Sequence, residues 1–234
     1  SYPKDAQLRE VGHRFVSTKT PLWEAKVYAL NQLGTLALFQ GNFACASRYF
    51  DRCQAVFIAQ GEAENLACVA YQSIGRLLLY TDHPRAAIPI IERGLAIRQQ
   101  RQEREGIAAN SVYLAAAHLA LQQATVAEAL LTDALAIYRT IDARHDLALC
   151  HLYWGQLAAM RNDWARATDH WQQTITIANR VMVHFIELRL WVAWLPKILL
   201  AGQIRLCRAI IGCLWHCVRT QQLRLDAVGR LVLR

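Results

Sequence analysis

Glycine and proline are scarce in this chain. Its 234 residues include 11 glycines and 5 prolines, while alanine, leucine, glutamine and arginine are abundant. Because glycine and proline are the residues least compatible with a helix interior, this composition favours α-helix along the whole chain. Alternating β-branched runs flanked by turn residues are also lacking, so strands are not expected. A hydrophobic share of 54% excludes an intrinsically disordered chain.

Long apolar runs and catalytic motifs are lacking as well. The most apolar stretch, residues 190–201, is interrupted by a lysine and a proline and is shorter than the roughly 20 residues of a membrane span. Without a glycine-rich phosphate loop, an HExxH pair or a nucleophile elbow, we expect neither catalysis nor a cofactor. Cys213 and Cys217 are too few ligands for a zinc site, so no metal is expected. The adjacent residues Asp169 and His170 point apart on a helix and predict no joint site.

Cysteine usage and charge distribution bear on the compartment and the partners. The seven cysteines are odd in number and lie in apolar helical patterns, which is typical of buried thiols in a reducing compartment. With no secretory leader visible, we expect a cytoplasmic protein. Residues 1–179 carry 17 basic and 16 acidic side chains, whereas residues 180–234 carry 9 and 2. The net charge of +8 therefore belongs to the C-terminal end.

A small residue returns at a nearly constant interval along the chain. These residues are Gly34, Gly75, Ala115 and Gly155, at intervals of 41, 40 and 40 residues. An alanine follows each of them twelve places later, and a large side chain follows four places after that. The two sets are Ala46, Ala87, Ala127 and Ala167, then Phe50, Ile91, Leu131 and Trp171. This pattern predicts one helical hairpin copied several times, in which the small residue lets the alanine of the second helix approach closely.

The copies predict an all-α fold, a right-handed solenoid of antiparallel helix pairs. We expect a capping helix in residues 1–22, repeats in residues 23–215 and a final helix in residues 216–234. The repeat units are expected at residues 23–61, 62–102, 103–142, 143–181 and 182–215, the last one degraded. The final helix lacks the polar outer face of a terminal repeat, so we expect the chain to continue or self-associate there.

The repeat resembles the tetratricopeptide (TPR) motif, W-x2-L-G-x2-Y followed by A-x3-F. Leu33-Gly34, Ile74-Gly75 and Trp154-Gly155 match the first block, while Ala46-x3-Phe50 and Ala167-x3-Trp171 match the second. The period of about 40 residues exceeds the usual 34, which longer helices explain. This lengthened form is similar to arrays in scaffold proteins and in sensor regions of signal-transduction ATPases. HEAT or armadillo repeats, which lack the twelve-residue spacing, are the structural alternative.

The resemblance implies a non-catalytic adaptor or sensor that binds a protein or peptide in a concave groove. The first helix of each unit would line this groove. By their spacing from Gly34, the groove residues are expected to include Tyr28, Asn31, Thr35, Gln72, Arg76, Gln156 and Arg189. The middle of the groove would be apolar, where Ala109, Val112, Ala116 and Leu119 occur. Such a surface suits an amphipathic or extended peptide.

Two alternative functions stay open. Arg205, Arg208 and Arg219 could form a stripe that faces nucleic-acid phosphates, with Trp215 nearby as a stacking platform. Nucleic acid is the less favoured partner, because arginines beside apolar residues more often form the solvated edge of a packed helix. The second alternative is homo-oligomerisation, or docking within a larger protein, through residues 216–234.

Overall fold

The computed structural model describes residues 22–59, 64–141 and 143–178, together with eight positions between 195 and 211. The three ranges contain helices and no strand. The helices are α1 (Leu22–Phe39), α2 (Phe43–Ala59), α3 (Glu64–Tyr80), α4 (Pro84–Gln100), α5 (Arg104–Ala120), α6 (Ala124–Tyr138), α7 (Arg144–Met160) and α8 (Trp164–Ala178). None of these helices is long and apolar enough to cross a membrane.

Neighbouring helices pack in pairs. The most extensive contacts join α1 to α2, α3 to α4, α5 to α6 and α7 to α8, which we call the first to fourth helix pairs. Because only three residues connect the two helices of a pair, the two helices run antiparallel. The predicted all-α fold of paired helices is therefore confirmed for the described residues.

The same turn closes all four pairs. One turn residue in each has a positive φ, namely Gly41 (73°), Asp82 (63°), Gln122 (62°) and Asn162 (62°). The next residue donates its N–H to the carbonyl five positions earlier, as in a Schellman cap. These bonds run from Asn42 to Ala37 (2.9 Å), His83 to Leu78 (2.8 Å), Gln123 to His118 (2.8 Å) and Asp163 to Ala158 (2.9 Å). The cap recurs even where the chain has no glycine or proline to mark a turn.

Successive pairs stack into a solenoid. Each pair contacts the next one along the chain, and the odd-numbered helices also contact one another, α1 with α3, α3 with α5 and α5 with α7. These contacts are more extensive than any between successive even-numbered helices. The odd-numbered helices therefore form the inner side of the stack, and the even-numbered helices form the outer side.

Hydrogen bonds repeat in register from one pair to another. Within a pair, a side chain of the second helix donates to a carbonyl of the first helix 26 residues earlier, from Cys53 to Val27 (3.5 Å) and from Thr174 to Ala148 (3.3 Å). Between pairs, a side chain donates to a carbonyl 19 residues earlier, from Asn110 to Ile91 (3.5 Å) and from Cys150 to Leu131 (3.8 Å). The repeat therefore extends from the sequence to individual contacts.

The repeated glycines make room for the large residue of the partner helix. A Cβ added at Gly34 would overlap the ring of Phe50, and one added at Gly155 would overlap the indole of Trp171. From the sequence we expect the alanine of the second helix to use this space. The four alanines are fully buried, at 0% exposure, but the atoms nearest to each glycine belong to the large side chain.

Some expected segments lie outside the described residues. These are the capping helix in residues 1–22, apart from Leu22, and the final helix in residues 216–234. Of the expected fifth unit, residues 182–215, eight positions are described. The four helix pairs span residues 22–59, 64–100, 104–138 and 144–178.

Candidate functional site

A pocket of about 470 Å³ lies on the inner side of the stack. Three successive odd-numbered helices contribute to it: Gln72 on α3, Ala109 on α5 and Asp146 on α7. The end of α4 and the start of α5 complete the wall with Arg98, Glu103, Arg104, Glu105 and Gly106. We call this the central pocket. Of the predicted groove residues, Gln72 lines this pocket.

Arg98 is held in place at the wall of the central pocket. Its Nη2 donates to Oε1 of Gln72 at 2.8 Å, which ties the end of α4 to α3. The guanidinium also lies directly against Gly106, where an added Cβ would overlap it. A glycine in the first turn of α5 costs helix stability, and here it gives the arginine room. Arg98 was not among the predicted groove residues, although a glycine inside a helix is a signal of close approach.

The other charged residues of the central pocket are partly paired. Arg104 donates through Nη2 to the Thr140 hydroxyl at 3.3 Å, and Glu103 forms an ion pair of 2.8 Å with Arg101. Glu105 is exposed to solvent at the mouth of the pocket. The wall therefore presents both signs of charge. Such a surface suits a polar or zwitterionic segment better than a strongly charged one of either sign.

The buried phenol of Tyr138 lies near Asp146, a residue of the central pocket wall. The Tyr138 hydroxyl is buried and has no hydrogen-bond partner among the described residues. Burial raises the pKa of Tyr138 far above its ordinary value, and the nearby carboxylate of Asp146 raises it further. Tyr138 therefore stays neutral at any physiological pH, and it offers the site no titrating group.

Arg76 bridges three odd-numbered helices. Its guanidinium carbon on α3 lies 5.0 Å from the ring centroid of Phe39 in α1 and 5.3 Å from that of Tyr113 in α5. Both distances are within the range of cation–π attraction. Arg76 was predicted as a groove residue, and the structure places its charge between aromatic rings, where it ties neighbouring inner helices together.

The remaining predicted groove residues divide by exposure. Tyr28 and Thr35 are half-buried on α1, whereas Asn31 and Gln156 are buried, at 5% and 7% exposure. Direct contact between a ligand and the last two is limited by this burial. Arg189 lies outside the described residues.

The apolar middle of the expected groove is core. Ala109, Val112, Ala116 and Leu119 are each at most 9% exposed. The expectation of an accessible apolar surface was wrong for Val112, Ala116 and Leu119, because α5 is packed on both sides by the neighbouring odd-numbered helices α3 and α7. Ala109 lines the central pocket. The central pocket, with its polar wall, is what this part of the stack leaves open.

The cysteines and the C-terminal arginines add no site among the described residues. Burial raises the pKa of the Cys53 thiol to about 11 and that of Cys150 to about 12, so both stay protonated. Within the described part of the chain, no group of three or more His, Cys, Asp or Glu side chains is arranged to hold a metal ion. Arg208 is exposed, while Arg205 and Arg219 lie outside the described residues.

The fold and the central pocket define an α-helical repeat protein with a polar pocket on its inner side. No family model matches the sequence, and no curated protein matches it significantly. The class of protein therefore rests on the architecture.

Proposed function

We propose that this chain is a TPR-like interaction module that binds an extended segment of a partner protein across its inner side. The observation that carries the proposal is the central pocket, which is built by three successive odd-numbered helices. A ligand that reaches several helices at once contacts several repeat units, as expected for a solenoid that binds along its curved surface. The module acts as an adaptor or a sensor and performs no chemistry.

The size and chemistry of the central pocket support a peptide ligand. A volume of about 470 Å³ falls within the range of roughly 300–1,000 Å³ that is typical of ligand sites. Arg98 and Arg104 can donate to backbone carbonyls or carboxylates, and Glu105 and Asp146 can accept from amides or cationic side chains. Carbonyl acceptors and amide donors alternate along the backbone of an extended peptide.

Pre-organisation supports the same proposal. Arg98 is held by Gln72 and lies against Gly106, so its side chain is ordered before a ligand arrives. Ordering a free arginine on binding costs about 0.5–1.5 kcal/mol, and this arrangement lowers that cost.

A charge reversal at the mouth of the central pocket tests the proposal. Peptides are selected on the wild-type chain from a random dodecamer library, and their Kd values are measured by fluorescence anisotropy. Glu105→Arg is expected to weaken the selected peptides by about tenfold or more, because it reverses an exposed pocket charge. The matched control is Glu92→Arg on α4, an exposed position outside the pocket. Equal affinities for all three proteins would refute the proposal.

A second variant separates binding from folding. Gly106→Ala is expected to displace the flexible end of Arg98 while improving the helix propensity of α5 by up to about 1 kcal/mol. Thermal unfolding should show no loss of stability, and the affinity for the selected peptides should fall. A variant with unchanged affinity would show that Arg98 has no part in binding.

A further inference from the structure

A second cavity of about 230 Å³ lies between α6, α7 and α8, apart from the central pocket. Its wall includes Trp154 and Leu157 from α7, His170 from α8 and Glu128 from α6. We call it the Trp154 cavity. None of its lining residues belongs to the central pocket, so the two sites are separate.

An aromatic stack forms one side of the Trp154 cavity. The rings of Trp154 and His170 are nearly parallel, 15° apart, with centroids 5.5 Å from each other. Nδ1 of His170 lies 3.0 Å from Nδ1 of His151, a buried residue of α7, so one imidazole donates to the other. This hydrogen bond fixes the His170 ring, and the ring in turn supports the indole.

The histidine pair is neutral at physiological pH. Burial lowers the pKa of His151 to about 4, with further lowering from His170 and Arg139 and a smaller opposing effect of Asp169. Burial also lowers the pKa of His170, although Asp169 partly offsets this. The aromatic wall therefore carries no charge at pH 7.

The charges at the rim of the Trp154 cavity are paired. Arg161 binds Glu128 through two hydrogen bonds, of 2.9 and 2.6 Å, and Nε of Arg166 lies 3.3 Å from a carboxylate oxygen of Asp163. A neutral ligand would leave both pairs intact.

One polar group of the wall has no partner. Nε1 of Trp154 is buried and makes no hydrogen bond among the described residues. An indole N–H can only donate, and buried donors are almost always satisfied in native structures. The acceptor for this N–H is therefore not one of the described residues.

The repeat does not require these residues. The positions equivalent to Trp154 hold Leu33, Ile74 and Leu114, and those equivalent to His170 hold Tyr49, Ile90 and Leu130. In the second and third helix pairs, aliphatic side chains are sufficient at both places. A departure from the repeat at two positions that meet around one cavity points to a local function.

Size restricts the ligand to one ring. A cavity of about 150 Å³ holds benzene, and sites for drug-sized ligands start near 300 Å³. The Trp154 cavity, at about 230 Å³, lies between these limits. A planar ring can also stack on the aromatic wall.

We infer that the Trp154 cavity binds a neutral phenolic ring, which packs in the aromatic wall and accepts a hydrogen bond from the Trp154 indole. The phenol satisfies each observation: one ring, no charge at pH 7 and one oxygen acceptor. The ring is either a tyrosine side chain of a partner or a free phenol.

The test uses p-cresol, which copies the tyrosine side chain, and toluene, which has the same ring without the oxygen. Binding is followed in the full chain by NMR through the tryptophan indole N–H signals, and the Trp154 signal is assigned from the Trp154→Phe variant. We expect p-cresol to bind at millimolar concentration and to shift the Trp154 signal, and toluene to bind about tenfold more weakly. Equal binding of both without a shift of that signal, or no binding of either, would overturn the inference.

Two variants and one control complete the experiment. Trp154→Phe keeps a ring and removes the donor, so p-cresol should lose its advantage over toluene. Trp154→Leu installs the residue type of Leu114 in the third pair, so the fold should be kept while p-cresol binding is lost. Trp164→Phe removes another indole of α8 that does not line the cavity, and p-cresol should bind it as it binds the wild type. An equal loss of p-cresol binding in Trp164→Phe would contradict a site at Trp154.

N-acetyltyrosinamide distinguishes the two sources of the phenol. If a partner supplies a tyrosine, this compound should bind at least as tightly as p-cresol. If the ligand is a free phenol, the added backbone should weaken binding. Either result, combined with the Trp154 shift, supports a phenol site and decides its source.

Discussion

The second and fourth helix pairs share one backbone arrangement and fill it differently. In both, a glycine of the first helix faces a large side chain of the second, Gly75 facing Ile91 and Gly155 facing Trp171. The fourth pair adds a hydrogen bond of 3.2 Å from the Trp171 indole to the Leu152 carbonyl. The repeat therefore sets the distance between helices and leaves the identity of the large residue free.

The second and fourth helix pairs also differ at two further equivalent positions. The second pair has Tyr71 and Ile90 at the places where the fourth pair has His151 and His170. Tyr71 packs edge-on against Phe57, with ring centroids 5.9 Å apart, whereas the two histidines hydrogen-bond to each other. A repeat unit can therefore exchange apolar packing for a polar contact without losing the pairing of its helices.

Truncation of the large residue should have the largest effect. Trp171→Ala is expected to lower the free energy of unfolding by about 4 kcal/mol, because it leaves a cavity and removes the hydrogen bond from the indole to the Leu152 carbonyl. Ile91→Ala should cost about 3 kcal/mol, since it removes fewer buried atoms and no hydrogen bond. Urea unfolding measures both values. A larger loss for Ile91→Ala would contradict the difference drawn between the two pairs.

Acid should weaken the fourth pair selectively. The folded-state pKa of His151 is lowered to about 4, while an unfolded histidine titrates near 6.5. The unfolded state therefore binds more protons between these values, and stability is lost as the pH falls from 6.5 towards 4, by roughly 2–3 kcal/mol.

A variant isolates the histidine contribution from that of the carboxylates. His151→Ser introduces the residue that the third pair has at this place, Ser111. The free energies of unfolding at pH 7 and pH 4.5 are compared for both proteins. The variant should lose less stability on acidification than the wild type. An identical loss would show that the pKa of His151 does not change on folding.

A methyl group added at the glycine should have an intermediate effect. Gly155→Ala is expected to lower the free energy of unfolding by about 2 kcal/mol, because overpacking outweighs the gain in helix propensity. Gly75→Ala should cost less, since the methyl meets the side chain of Ile91, which can rotate more easily than a hydrogen-bonded indole. Thermal unfolding of both variants decides the order, and equal costs would count against the steric account.

Removal of the rim ion pair should have the smallest effect. Arg161→Leu introduces the residue type of Leu121 in the third pair and breaks the contact with Glu128. Because both side chains are 41% exposed, we expect a change of about 0.5 kcal/mol or less. A loss well above 1 kcal/mol in urea unfolding would mean that this pair helps to hold α6 against α7.

Much of the fold could be read from spacing, and much of the site could not. The interval between Gly34 and Phe50 predicted a hairpin with a close helix contact, because small and large residues on facing helices leave a regular trace. The positive φ of Gln122 could not be predicted, because no glycine or proline marks that turn. Arg98 was missed for another reason: its partner Gln72 lies on a different helix, 26 residues earlier.

Helix content and the pairing of helices followed from the amino-acid order, since propensity and the glycine–alanine spacing act within about 40 residues of chain. Which side chains meet across helices was settled only by packing. Arg98 reaches Gln72, and His151 reaches His170, because the rotation and register of separate helices bring them together. Packing likewise buried the expected apolar groove and left a polar pocket and an aromatic cavity open instead.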